Sequence, residues 1–211
     1  GLVGTDAICP EVIAREAGAE AGILVGPTFN VGVAQHHLGF PGSMTLRPTT
    51  MIAAINDWID SLARHGFEKI YFLNGHGGNI ATIAAAFAES YANWSYDGEP
   101  CPYELKQMNW WELPGVMDVC RSLFPVGEGS HATASEVSVT YYAYPEHVKT
   151  VEMSPKIAPN GRFTDADNYR KSFPDGRIGS DPAQATPEKG ATIVAAARKA
   201  LISDVKTFFS R

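Results

Sequence analysis

Residues 69–80, KIYFLNGHGGNI, constrain the fold more than any other stretch. A run of strand formers, Ile70 to Leu73, empties into three glycines, two asparagines and one histidine before a new apolar pattern begins. Glycine loses more backbone entropy on folding than any other residue, so this clustering marks a place that requires bare backbone. Downstream, Ile80, Ile83, Ala84, Phe87 and Tyr91 recur at three- and four-residue spacing, which predicts a helix of about four turns. NGHGGN is therefore a strand-to-helix turn. In open α/β sheets such turns lie at the carboxyl ends of the strands, where ligands bind.

The same alternation extends along the chain. Residues 10–18 (PEVIAREAG) read as a short helix with Pro10 in its first turn and Gly18 as its stop, and the apolar run Gly22 to Val25 reads as a strand. From Thr49 to His65, Ile52, Ile55, Ile59 and Leu62 keep helical spacing, with Thr49 or Thr50 as N-cap and Gly66 as the stop. Tyr103 to Trp111 reads as a further strand and Glu188 to Phe208 as an amphipathic helix. Residues 155–187 are rich in Pro, Gly, Asp and Asn and read as a long ordered loop. This order predicts one α/β domain over residues 1–211, with a mostly parallel sheet covered by helices on both faces.

A net charge of −6 without clustered Lys and Arg argues against nucleic acid and against a membrane surface as partner. No apolar stretch reaches the 18 or so residues of a membrane span, and no signal-peptide pattern opens the sequence, so a cytoplasmic protein is expected. Cys9, Cys101 and Cys120 are odd in number and far apart, which fits reduced thiols. The sequence opens on GLVGTD without a lead-in strand, and further residues are expected upstream.

Four stretches carry chemistry. In NGHGGN, Gly77 and Gly78 let a ligand approach the backbone, the helix start favours anions, and His76 offers a neutral nitrogen to a metal. A plain tight turn remains an alternative; a phosphate loop lacks its GK[ST] ending. In GEGSHATASEVS, residues 127–138, His131 and Glu136 are five apart, a spacing that puts His131 in a loop and Glu136 in the first turn of the next element. In VGTDAICPE, Asp6 precedes a helix and reads as an N-cap on its own. In AQHHLGFPGSMTLRP, adjacent histidines do not easily face one site, and His37 rather than His36 is the expected contributor. Trp110 and Trp111, beyond the third strand, fit a pocket wall for a flat substrate, the core or a subunit interface.

Together these stretches resemble the creatininase (creatinine amidohydrolase) family. NGHGGN at 74–79 is the most specific match; GTD at 4–6, HxxFPG at 37–42, HATASEVS at 131–138 and GSDPAQATPEKG at 179–190 follow the family order. The resemblance implies a three-layer α/β/α fold and a metal-dependent hydrolase that cleaves C–N bonds of small, often cyclic, amides at a centre of two divalent ions, Zn, Mn or Fe. It makes Asp6 the bridging carboxylate, His76 a metal ligand, His131 a general acid or base and Glu136 a ligand or a supporting carboxylate. His37, Gly77, Gly78 and Trp111 are then the expected substrate contacts. The family's E-x-H-G segment lies upstream of GTD, so an amino-terminal strand and two ligands are expected before Gly1. Gly78 stands where creatininase proper carries a metal-binding glutamate. That difference puts creatinine itself in question and leaves a non-catalytic small-molecule binding protein as the alternative. A homo-oligomer, a hexamer by resemblance, is expected.

Overall fold

The computed structural model describes residues 2–210. A parallel pair of strands, β1 (Lys69–Asn74) and β2 (Glu104–Asn109), aligns Lys69 with Glu104 through to Asn74 with Asn109. β1 is apolar on both faces, as a buried parallel strand must be. Ile70 and Phe72 pack into one core with Met51, Ile55, Ile59, Ile83 and Ala86 from α2 (Pro48–Arg64) and α3 (Ile80–Asp97). Tyr71 and Leu73 point the other way, into a core built from α1 (Thr5–Ala21), α4 (Val116–Leu123), α5 (Ala134–Ala143) and α7 (Pro187–Phe209). Helix layer, sheet, helix layer is the expected three-layer α/β/α order.

Several boundaries differ from the sequence expectation. α1 starts at Thr5, so Asp6 is not its N-cap but lies in its first turn, behind Gly4 with φ 93°. The buried series Cys9, Ile13, Ala17 spans Pro10 at four-residue intervals and carries the helix through it. Gly18 is not the stop; a Cβ there would meet Val25 Cγ2 at 2.4 Å, and the left-handed Gly22 ends the helix. Gly22–Val25 forms no strand, because the described sheet gives it no neighbour to pair with; Leu24 is 76% exposed. α2 opens with Pro48 behind Arg47, which places Thr49 and Thr50 inside the first turn.

The 155–187 loop contains α6 (Ala166–Ser172), capped by Asp165 through the Asn168 N–H. The loop is tied together by buried Arg177, which donates to the carbonyls of Pro155, Lys156 and Ser180 and pairs with Asp175.

Candidate functional site

The glycines of NGHGGN have different reasons. A Cβ at Gly75 would lie 1.9 Å from the Asp6 carbonyl oxygen and 2.7 Å from Pro10 Cδ, so this glycine lets α1 close on the end of β1. Pro10 has no N–H to give that carbonyl, and the carbonyl lies against the turn instead. A Cβ at Gly78 would meet the His76 ring at 2.6 Å and the Val33 carbonyl at 2.7 Å, so Gly78 makes room for the imidazole. Gly77 is exposed and a side chain there would meet nothing within 4 Å, leaving open space for an incoming molecule.

The asparagines wire the turn. Buried Asn74 donates to the His76 carbonyl at 2.8 Å and to Asn109 Oδ1 at 2.7 Å across the strand ends, while its own oxygen accepts from the His76 N–H and from Asn79. Asn79 accepts from Val33 N–H at 2.8 Å, and Asn109 passes the chain of bonds to Glu112. The wiring fixes His76 at the carboxyl end of β1 and draws the 31–47 segment over it.

That segment delivers two histidines. A single turn, Gln35–His37, brings the rings of His36 and His37 within 4.1 Å of each other and within 5.7 and 5.8 Å of His76. His36 therefore joins the site, contrary to the expectation that only His37 would. One nitrogen from each of His36, His37 and His76 lies within 4.8 Å of the others. His131 stacks on His37 with centroids 4.3 Å apart, and Tyr169 stands edge-on to both. His131 is held by its backbone: its carbonyl accepts from Ile178 N–H and from Ser180 Oγ at 2.7 Å, and left-handed Ala132 (φ 50°) turns the chain into α5.

Burial among neighbouring imidazoles favours the neutral form of His36, His37 and His131. Desolvation, with the nearby histidines, pushes His37 down to about 3 and His131 to about 4; His36 is also lowered, first by burial and then by His76. His37 Nε2 is buried and has no hydrogen-bond partner among the described residues. A buried nitrogen without a partner is costly, and a bound metal ion is a group that would satisfy it.

The carboxylates come from helix starts. Asp6, open to solvent at the rim, is crowded enough that desolvation raises its carboxyl, an effect the charge of His76 partly offsets. Glu136 is at the third position of α5, as expected. It closes a capping box in which Glu136 accepts the Thr133 N–H at 2.6 Å and Thr133 Oγ1 accepts the Glu136 N–H. Desolvation first, and the charge of Asp6 second, push Glu136 up to about 8. A cation between Asp6 and Glu136 would relieve that repulsion. Neutral imidazoles, an orphaned Nε2 and two mutually repelling carboxylates fit a divalent metal.

Two contributors escaped the sequence reading besides His36. Glu128 accepts from Ser135 N–H and Oγ and ties the start of α5 from outside; a carboxylate beside a helix amino end was the available signal. Tyr169 had none, because α6 is short and polar. Trp111 meets Trp110 edge-on at 6.0 Å and packs against the α1 and α7 core; no ring contact joins it to the histidines among the described residues.

Residues 1–205 match the sequence model of the family described as Creatininase: Creatinine amidohydrolase. The creatinine amidohydrolase of Pseudomonas putida is 26% identical over 204 residues, covering 91% of this chain and 77% of that protein. A mycofactocin precursor peptide peptidase of Mycolicibacterium smegmatis is 28% identical over 138 residues, 65% of this chain and 47% of its own length. Among solved structures, a mutant creatininase complexed with creatine superposes with a TM-score of 0.85 at 22% identity, covering 99% of this chain and 85% of the other, which shows the shared fold.

Proposed function

The chain belongs to the creatininase family, and on that premise we propose that it is a metal-dependent amidohydrolase cleaving a C–N bond of a small amide, cyclic or at a peptide end. One observation carries the metal: nitrogens of His36, His37 and His76 converge within 4.8 Å, with His37 Nε2 buried and partnerless. The relatives support the reaction class, since a creatinine amidohydrolase and a peptide peptidase both hydrolyse C–N bonds. Solved creatininases described as zinc–zinc and manganese forms support the ion, with two per subunit expected and iron the third possibility.

In this reading Asp6, His76 and Glu136 would hold the ions, with His36 and His37 in reach. The bound ions would supply a water whose pKa falls toward about 7 and a Lewis acid for the amide carbonyl. The remaining work belongs to the chain. His131, neutral above about pH 4, takes the proton of the attacking water on a ring nitrogen and returns it to the leaving nitrogen, a transfer worth typically 10² to 10⁴ in rate. Its stacking on His37 holds the ring in place. The open backbone at Gly77 admits the substrate, and Tyr169 shields the far side from water. Gly78 has a packing reason for lacking a side chain, which weakens the binding-only alternative.

The test is a pair of variants of the protein expressed from its whole gene. His76→Ala loses metal and amide hydrolysis together; His131→Ala keeps metal and loses at least 10² in kcat. Full activity in either variant refutes the assignment. We assign a homo-oligomer, a hexamer by family, for which exposed Tyr144 is an interface candidate while Tyr141 is core. Light scattering at the expected mass, or at a monomer's, decides it.

A further inference from the structure

We propose that Ser180 is a positioning residue that aims the His131 ring by clamping the peptide unit between His131 and Ala132, a role that rests on the reading of His131 as the proton carrier. Ala132 is the one non-glycine residue with positive φ (50°) among the described residues. An L side chain keeps that conformation only where its surroundings enforce it. The peptide unit leading into Ala132 is gripped from both sides. Its carbonyl, on His131, accepts from Ser180 Oγ at 2.7 Å and from the Ile178 N–H at a longer 3.3 Å. Its N–H, on Ala132, donates to the Glu136 carboxylate, which also takes the Thr133 N–H at 2.6 Å. One peptide plane therefore ties the aim of the His131 ring to the carboxylate at the start of α5.

Ser180 is itself fixed. It is fully buried, and its carbonyl accepts from Arg177 Nη1 at 3.0 Å and from the Ala158 N–H at 3.1 Å. Gly129 closes on it from the other side, where a Cβ would meet Ser180 Cβ at 2.5 Å. Bonds from Ser130 N–H to the Ile178 carbonyl at 2.9 Å and from Asp181 N–H to the Gly127 carbonyl at 2.8 Å keep the two segments in register. The hydroxyl cannot follow the His131 carbonyl if the plane turns. Without it only the long bond from Ile178 opposes the turn, which relaxes Ala132 to negative φ and takes the imidazole off His37. A hydroxyl that merely satisfies itself predicts the opposite: its loss would leave the ring where it is.

Ser180→Ala in the protein expressed from its whole gene tests this, beside Ser180→Ala/Ala132→Gly, because glycine takes a positive φ without steric cost. The first readout needs no substrate. In metal-free protein isotope-labelled at histidine Cε1, the His131 resonance, identified by its absence from His131→Ala, is expected to shift in Ser180→Ala and to return in the double variant. The second uses zinc-loaded protein and whichever of creatinine, hydantoin and an amide-capped dipeptide the parent cleaves fastest. There kcat is expected to fall about 10²-fold in Ser180→Ala, with KM and zinc content near the parent's, and to recover roughly tenfold in the double variant. An unmoved resonance, a full kcat, zinc lost in step with the rate, or a double variant no better than Ser180→Ala would each overturn the proposal. A His131→Ala variant of full rate, or a parent that cleaves none of the three, counts against the reaction proposed above; the resonance then decides alone whether Ser180 aims the ring.

Discussion

The donors assigned to the proposed metal site come from two kinds of place. Asp6 and Glu136 ride in the first turns of α1 and α5, where packing of a whole helix fixes them and exposed amide N–H groups welcome a carboxylate. His36, His37, His76 and His131 ride on loops, where position depends on asparagine bonds, glycine clearances and ring stacking. The helix-borne groups are raised toward their neutral form and Asp6 adds to the rise at Glu136, whereas His36, His37 and His131 are lowered toward theirs. In the proposed reading a divalent cation would suit both sets. Helices supply placement and loops supply chemistry.

The sharpest break is at Gly75, where α1 closes on the turn that carries His76. Gly75→Ala drives a Cβ into the Asp6 carbonyl and is expected to destabilise the fold by about 2–3 kcal/mol in urea unfolding and to displace Asp6. Gly77→Ala, with nothing within 4 Å, is expected to change stability by less than about 0.5 kcal/mol and to act on KM alone. Equal costs at the two positions would contradict the clearance argument. Next comes Asn74→Ala, which leaves the buried Asn109 Oδ1 without its donor and frees His76; about 2 kcal/mol and a loss of metal affinity are expected in titrations monitored by calorimetry.

The helix side should give less. Thr133→Ala removes half the capping box and is expected to cost about 1 kcal/mol, with metal affinity almost intact, since Glu136 still accepts from the backbone.

The smallest effect separates the two sets by pH. His37 and His131 titrate below their ordinary 6.5, so the folded state binds fewer protons than the unfolded one under mildly acid conditions, and stability rises with pH up to about 6.5. Glu136 titrates at about 8 rather than 4.5, so the folded state binds more protons there, and stability present at low pH is lost as pH rises through 8. Thermal melts of metal-free protein should decline from pH 6.5 to 8.5. Glu136→Gln should flatten that decline and leave the acid side alone; an unchanged alkaline decline would place the raised carboxyl elsewhere.

The strand–turn–helix at 69–97 was legible because a short continuous apolar run gives way to period 3.6 across a glycine turn, and Glu136 was legible because its spacing from His131 fits a helix start. His36 was not. Adjacent side chains diverge in a strand or an α-helix, and only the tight turn at Gln35–His37, tied down through Asn79 and Val33, aims both rings at His76. Gly22–Val25 was misread for a different reason: strand composition is a local property, but a strand exists only with a neighbour to pair with. The start of α1 was misplaced because Pro10 marks a first turn in most helices, whereas here the series Cys9, Ile13, Ala17 carries the helix past it.

The central claim is that imidazoles and carboxylates meet around a divalent ion. Elemental analysis of the protein expressed from its whole gene, beside the Asp6→Ala and His76→Ala variants, tests it most directly. The account predicts stoichiometric or higher divalent metal in the parent and its loss in both variants with the fold retained by circular dichroism. A parent that holds no metal after reconstitution with zinc or manganese, or variants that keep it in full, would contradict the account.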